Sequence, residues 1–176
     1  MKRSLAVLLL ALCAGTGMAH AGEISIGAGA FGGYAVPLLQ DDAGSGFIYG
    51  LRVPVQVSTL LTIEPYYATS QLDDVTEELG GVEYTRSGFE MKAIGGNVIF
   101  FNSTFYPYVG IAAYDLSRPG SEDISEVGYS FGLGLALPVA EKFRLDIRGE
   151  LDMIVTDESS RKFGTATAGL TYHLTK

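Results

Sequence analysis

The stretch "FRLDIRGELDMIV", residues 143–155, alternates between charged and apolar side chains with a period of two. A period of two is typical of a β-strand, in which successive side chains point to opposite faces of the sheet. One face of this strand is therefore densely charged, while the other is apolar. The charged side chains all share one parity, and they are Arg144, Asp146, Arg148, Glu150 and Asp152.

Two environments accommodate such a strand. In a soluble sheet the charged face meets water and the apolar face meets a protein core. In a membrane barrel the charged face looks into a polar lumen and the apolar face meets lipid. Strand length and loop order distinguish the two cases, so the rest of the sequence decides between them.

The same reading predicts eight strands along the chain. Most are longer than the 5 or 6 residues that are common in soluble sheets, and they reach the roughly 9 to 11 residues that cross a bilayer. The predicted ranges are 23–33, 46–57, 60–70, 87–100, 104–115, 127–138, 142–155 and 163–174.

The connections between these strands alternate in length. Those at 57–59, 101–103 and 138–141 are short, whereas the other four are longer and polar, at 34–45, 72–86, 116–126 and 156–162. Sorting of short and long connections to opposite ends is typical of outer-membrane barrels, and a soluble meander has no reason for it. We therefore predict an all-β fold, an eight-stranded antiparallel up-and-down transmembrane β-barrel.

The apolar parity of seven strands can face lipid without conflict. The fourth strand is the exception, because Glu90 and Lys92 share parity with Ile94, Val98 and Phe100. A bulge at Gly95-Gly96 would switch its faces. The facing of this strand is left open by the sequence.

The opposite parity forms the predicted lumen. An eight-stranded barrel is just wide enough for side chains to fill, so charges inside it need partners. Two readings remain, a paired network that fills the tube and a polar path or binding site. The predicted lumen charge network comprises Arg52, Glu64, Arg144, Asp146, Arg148, Glu150 and Asp152.

The first 21 residues are predicted to be a secretory signal peptide, followed by a barrel domain at 22–176. Lys2 and Arg3 precede an apolar run, and Ala19-His20-Ala21 supplies small residues for cleavage. Removing this segment changes the formal net charge from −8 to −10, and such acidity argues against a nucleic-acid partner. The only cysteine, Cys13, would leave with the signal.

The segment "TAGLTYHL", residues 167–174, resembles the insertion signal of bacterial outer-membrane proteins through Thr167, Gly169, Tyr172 and Leu174. "GGNVIFFNSTFYPYVGIAAYDL" and "YSFGLGLALPVAEKFRLDIRGEL" resemble hairpins of the small OmpA/OmpX-like outer-membrane β-barrel family, which is porin-like in architecture. The resemblance implies the outer membrane of a Gram-negative bacterium and a structural or surface-interaction role. It also implies contact with membrane lipid, lipopolysaccharide and the barrel-assembly machinery.

The sequence predicts no catalytic, cofactor-binding or metal-binding residues. The run Gly27 to Gly32 lacks the following helix that a phosphate loop needs, and His173 is the sole histidine after the signal. A narrow channel and a lipid-modifying enzyme remain as alternative functions. The long loops are acidic, and the solubility of exposed loops is enough to explain this. The acidity would also suit divalent cations that bridge the loops to lipopolysaccharide phosphates, or a basic surface partner.

Overall fold

The computed structural model describes residues 24–38, 44–101, 103–121, 123–155 and 160–174. Within these ranges, no helix is long and apolar enough to span a membrane. The secondary structure is a succession of strands: β1 (Ser25–Leu38), β2 (Gly46–Arg52), β3 (Val55–Gln56), β4 (Leu61–Leu72), β5 (Val75–Leu79), β6 (Val82–Arg86), β7 (Glu90–Phe100), β8 (Phe105–Ser117), β9 (Ile124–Ala140), β10 (Phe143–Val155) and β11 (Ser160–His173).

All strands except β5 and β6 form one antiparallel sheet that closes on itself. Each barrel strand pairs with the next along the chain, and β1 pairs with β11 from Gly27↔His173 to Leu38↔Lys162. Closure leaves the barrel no free edge, so its backbone groups are paired within the wall. The predicted eight-stranded up-and-down barrel is confirmed, with β2 and β3 together forming its second strand.

The break between β2 and β3 has a local cause. Pro54 lies in the break and Pro65 faces it from β4, and neither can donate a backbone hydrogen bond. Val53 N–H still donates to the Pro65 carbonyl, and Gly27 N–H donates to that of Pro54. The register is the same on both sides of the break, so Arg52 keeps its inward position.

The connections alternate between a short-turn end, after β3, β7 and β9, and a long-loop end, after β1, β4, β8 and β10. Three of the four predicted long connections are confirmed, but the one after β10 is only 156–159, because β10 and β11 stay paired as far as Val155↔Ser160. Most strand ends lie within three residues of the predicted bounds, and two differences are larger. Strand β1 continues to Leu38 instead of ending at 33, because it stays paired with β11. The predicted loop 72–86 contains the hairpin β5–β6, whose turn uses Gly80 and Gly81 at φ of 64° and 83°, a geometry that favours glycine. The predicted signal peptide lies outside the described residues.

The outer face of the barrel is an apolar surface. Phe47 is 72% exposed, Leu51 62% and Leu151 53%, which is the reverse of a soluble protein and fits contact with acyl chains. Other large side chains of this face include Ile94, Phe105, Ile111, Phe131, Leu133, Ile147 and Leu170.

The fourth predicted strand, β7, has no bulge at Gly95-Gly96, since its register with β4 and β8 is continuous. Glu90 and Lys92 therefore face outward with Ile94, and Lys92 Nζ lies 3.2 Å from Glu90 Oε1. Both lie near the long-loop end, where the outer face becomes polar. The register shift that does occur lies between Phe143 and Arg144, where β9 pairs with β10.

Candidate functional site in the barrel lumen

The centre of the lumen holds a two-pronged ion pair between strands β10 and β4. Arg148 donates from Nη1 and Nη2 to the two carboxylate oxygens of Glu64, at 2.5 and 2.8 Å. Its Nε donates to Tyr106 Oη at 2.9 Å, and its guanidinium lies 5.5 and 5.1 Å from the ring centres of Tyr106 and Tyr108. Arg148 and Glu64 are buried, so the pair is shielded from solvent.

A second cluster lies on the short-turn side of that pair. Asp146 accepts hydrogen bonds from Arg52 Nη2 at 3.1 Å, from Arg144 Nε at 3.3 Å and from Tyr106 Oη at 2.8 Å. Arg52 Nε lies 4.0 Å from Glu64 Oε2, and Tyr106 contacts both Asp146 and Arg148. The two clusters are therefore one continuous network of charges.

The remaining two predicted acids form no ion pair with any of the described residues. Tyr114 Oη donates to Asp152 Oδ1 at 2.9 Å, and Tyr108 lines the same cavity as Glu150. Both terminal nitrogens of Arg148 donate to Glu64. The structure thus brings Arg52, Glu64, Arg144, Asp146 and Arg148 into one network and places Glu150 and Asp152 beside it.

Glycines on β9 make room for the tyrosines of β8. Gly134 pairs with Tyr106 and Gly132 with Tyr108. A Cβ added at either glycine would lie 2.2 and 2.1 Å, respectively, from an atom of the facing ring. The tyrosine rings fill the space beside these glycines, and Arg148 packs on the rings.

The lumen is polar only in part. Towards the long-loop end its interior becomes an apolar cluster, because the inward parity of several strands turns hydrophobic there. This cluster includes Leu72, Phe89, Met91, Leu116, Ile154 and Phe163, with Phe89 and Phe163 packed edge to face at 6.2 Å. The polar lumen expected from the sequence therefore ends under an apolar plug.

A cavity of about 40 Å³ lies between the charges and the plug. Glu150, Asp152, Arg148 and Asn97 are among its lining residues, and Asn97 Oδ1 has no hydrogen-bond partner within the protein. That volume and polarity suit a few ordered water molecules.

The four residues of the predicted insertion signal divide between the two faces of β11. Thr167 and Gly169 point inward, and a Cβ on Gly169 would lie 2.7 Å from Arg52 Nη2. Tyr172 points outward and packs against the ring of Phe143 at 5.1 Å, with Lys142 Nζ 5.9 Å from its ring centre. Leu174 follows the strand and is exposed.

Among the polar residues around the charges, sequence reasoning missed Tyr66, Tyr106, Tyr114 and Asn97. Their signal was inward parity, but tyrosine occurs on both faces of a barrel wall, so parity alone does not assign them a role. Within the described residues, no group of three or more His, Cys, Asp or Glu side chains could hold a metal ion. His173 lies at the end of β11, where its backbone N–H donates to the Lys142 carbonyl.

No protein-family model matches the chain, and no curated protein matches it. Solved structures do resemble it. Neisserial surface protein A has a TM-score of 0.61 at 18% identity, over 88% of this chain and 99% of that one. The Yersinia pestis outer membrane protein Ail in a phospholipid bilayer nanodisc has a TM-score of 0.54 at 17% identity, over 86% of this chain and 100% of that one. The Pseudomonas aeruginosa outer membrane protein OprG has a TM-score of 0.52 at 13% identity, over 87% of this chain and 98% of that one. The chain therefore has the fold of small bacterial outer-membrane barrels.

Proposed function

We propose that this chain is a structural barrel of the outer membrane that presents a surface for interaction outside the cell. One observation carries the proposal: the lumen is filled by paired charges and an apolar plug, whereas the β5–β6 hairpin extends from the wall at the long-loop end. A filled interior supports a role on the surface rather than in the tube.

The hairpin β5–β6, which we call the ribbon, has the properties of a contact surface. Its two strands pair only with each other among the described strands, so their outer edges are open to a partner. Glu78 and Glu83 lie directly opposite each other and are exposed, and Asp73 precedes the ribbon. Because like charges placed opposite each other repel, a basic partner would relieve this repulsion.

The test is binding of a fluorescent polylysine peptide to the barrel in nanodiscs. The triple variant Asp73→Asn, Glu78→Gln, Glu83→Gln should bind more weakly than wild type, and added salt should weaken wild-type binding. Asp74 is left intact because its carboxylate accepts the Gly88 N–H at 2.7 Å. The control is Glu141→Gln at the short-turn end, which should bind as wild type does. Equal binding by the triple variant and wild type would refute the ribbon as the contact.

A narrow channel is the second candidate function, and the cavity near Glu150 favours it. The network around Arg148 and the plug above it argue that ions do not pass in this conformation. Recordings in planar bilayers should show no discrete conductance steps from the wild-type barrel. Reproducible steps would favour the channel.

We further propose that the chain is not an enzyme. The support is the position of His173 at the short-turn end, which in outer-membrane barrels faces the periplasm. A base acting on outer-leaflet lipid would have to lie at the other end. Mass analysis of lipid A after expression should show no new modification, and a mass change would contradict the proposal.

Two classes of partner accompany the proposed role. On the neighbouring strand β4, Gln71 lies opposite Glu90 and Thr69 lies opposite Lys92. Together they make a polar outer surface that suits lipopolysaccharide head groups. During insertion we propose recognition by the barrel-assembly machinery through Thr167, Gly169, Tyr172 and Leu174. No cofactor and no nucleic acid is required.

A further inference from the structure

Two carboxyl groups in the lumen form no ion pair with any of the described residues. Glu150 and Asp152 are two residues apart on β10, both point inward, and both line the 40 Å³ cavity. The two side chains therefore project from the same face of the strand into the same small space. Arg148 directs three of its five N–H groups to Glu64 and Tyr106 instead.

The other strands supply hydrogen-bond donors to this pair but no further positive charge. Strand β8 contributes Tyr114, whose Oη donates to Asp152 at 2.9 Å. Tyr108 of β8 and Tyr66 of β4 line the same cavity as the two acids. From β1, β7, β9 and β11 the nearby inward residues carry no titratable side chain. The titratable and charged groups facing the pair are Arg52, Glu64, Tyr66, Tyr106, Tyr108, Tyr114 and Arg148.

Two ionised carboxylates have only acceptor oxygens, so they cannot hydrogen-bond to each other. Side chains that share so small a space can form a hydrogen bond between their carboxyl groups only if one of the four oxygens carries a proton. The Tyr114 hydroxyl has one proton to give, and Asp152 already accepts it. Like charges this close in a narrow, protein-filled interior would otherwise repel strongly.

We propose that Glu150 and Asp152 share one proton at neutral pH and form a proton-binding site inside the barrel, so that the folded barrel is less stable in alkaline solution. Water admitted to the adjoining cavity would give the proton a route of exchange. The site goes beyond the surface role proposed above and does not depend on it.

The direction of the pH effect follows from linkage. Above about pH 5 both carboxyl groups of the unfolded chain are ionised, whereas the folded barrel keeps one proton. Unfolding then releases a proton, so each unit of rising pH increases the unfolding equilibrium constant tenfold until the folded pair also loses its proton. Stability from this site is present at low pH and lost on the alkaline side.

The experiment is urea unfolding of the full barrel in lipid vesicles between pH 5.5 and 9. Wild type should lose stability with rising pH by up to tenfold per unit in the unfolding constant. Glu150→Gln and Asp152→Asn, whose amides can donate to the remaining carboxylate, should remove this slope and retain any contribution of His173. Glu78→Gln on the exposed ribbon is the matched control and should keep the wild-type slope.

Three results would overturn the proposal. The first is a wild-type slope no steeper than that of Glu150→Gln and Asp152→Asn. The second is a stability that depends on added sodium or calcium at fixed pH in wild type but not in Glu150→Gln, because a metal cation would then neutralise the pair. The third result needs only the wild-type protein and therefore applies even if the variants do not fold. Infrared spectra of wild type in micelles at pH 7 should contain the carbonyl band of a protonated carboxylic acid. The absence of that band would refute the shared proton.

Discussion

Replacing Arg148 with alanine is the sharpest test of the lumen network. The change removes two hydrogen bonds to Glu64 and one to Tyr106. The Glu64 carboxylate, which is fully buried, would keep only the Asn97 amide at 3.2 Å and the 4.0 Å approach of Arg52 Nε. Breaking a buried pair from one side typically costs about 3 to 5 kcal/mol, so we expect a loss of that size in the free energy of unfolding.

Leu151→Ala on the same strand is the matched comparison. Leu151 is 53% exposed and faces lipid, and acyl chains can fill the space that its side chain vacates. Leu151→Ala removes three carbon atoms at roughly 0.8 kcal/mol each, so the expected loss in the free energy of unfolding is about 2 kcal/mol. Arg148→Ala should therefore destabilise the barrel more than Leu151→Ala, as measured by urea unfolding in lipid vesicles.

A double variant separates a broken ion pair from a general packing defect. Glu64→Gln in the Arg148→Ala background removes the stranded negative charge, so the double variant should be more stable than Arg148→Ala alone. A loss below about 1 kcal/mol for Arg148→Ala is what a solvated surface pair gives. That result, or a larger loss for Leu151→Ala, would refute the buried network.

Two further substitutions test how the wall is built. Gly134→Ala should lower the free energy of unfolding by about 1 to 3 kcal/mol, because its Cβ would lie 2.2 Å from the Tyr106 ring. Gly149→Ala is the control and should change the free energy of unfolding little, because its Cβ would meet nothing within 4 Å. Equal urea midpoints for the two variants would contradict the close packing of the Tyr106 ring on Gly134. Tyr172→Asp should reduce the amount of folded barrel recovered in outer-membrane fractions, since a lipid-face charge costs from near zero at the interface to about 4 kcal/mol at the bilayer midplane. Leu174→Thr serves as its milder comparison, and normal assembly of Tyr172→Asp would argue against the outward position and insertion role of this residue.

The sequence alone determined the barrel because two of its signals are local. The period of two in residues 143–155 assigns a face to each side chain without knowledge of any neighbour, and the order of short and long connections needs only the chain itself. The same parity put Arg52, Glu64, Asp146 and Arg148 on the inner face. It also gave the outward position of Phe47, Leu51 and Leu151.

Only the tertiary structure decided which of these side chains meet. Arg148 and Glu64 are 84 residues apart, and their pairing depends on the stagger between strands, which no local pattern encodes. The same holds for Tyr106 and Tyr108, whose inward rings lie over glycines of the next strand because the register puts them there. The outward direction of Glu90 and Lys92 likewise required the register of β7, since parity could not distinguish a bulge from a polar strand end. The face on which a side chain lies is set within its own strand, whereas the side chains it contacts are set by the closed barrel. Closure brings β1 and β11 together around the charges.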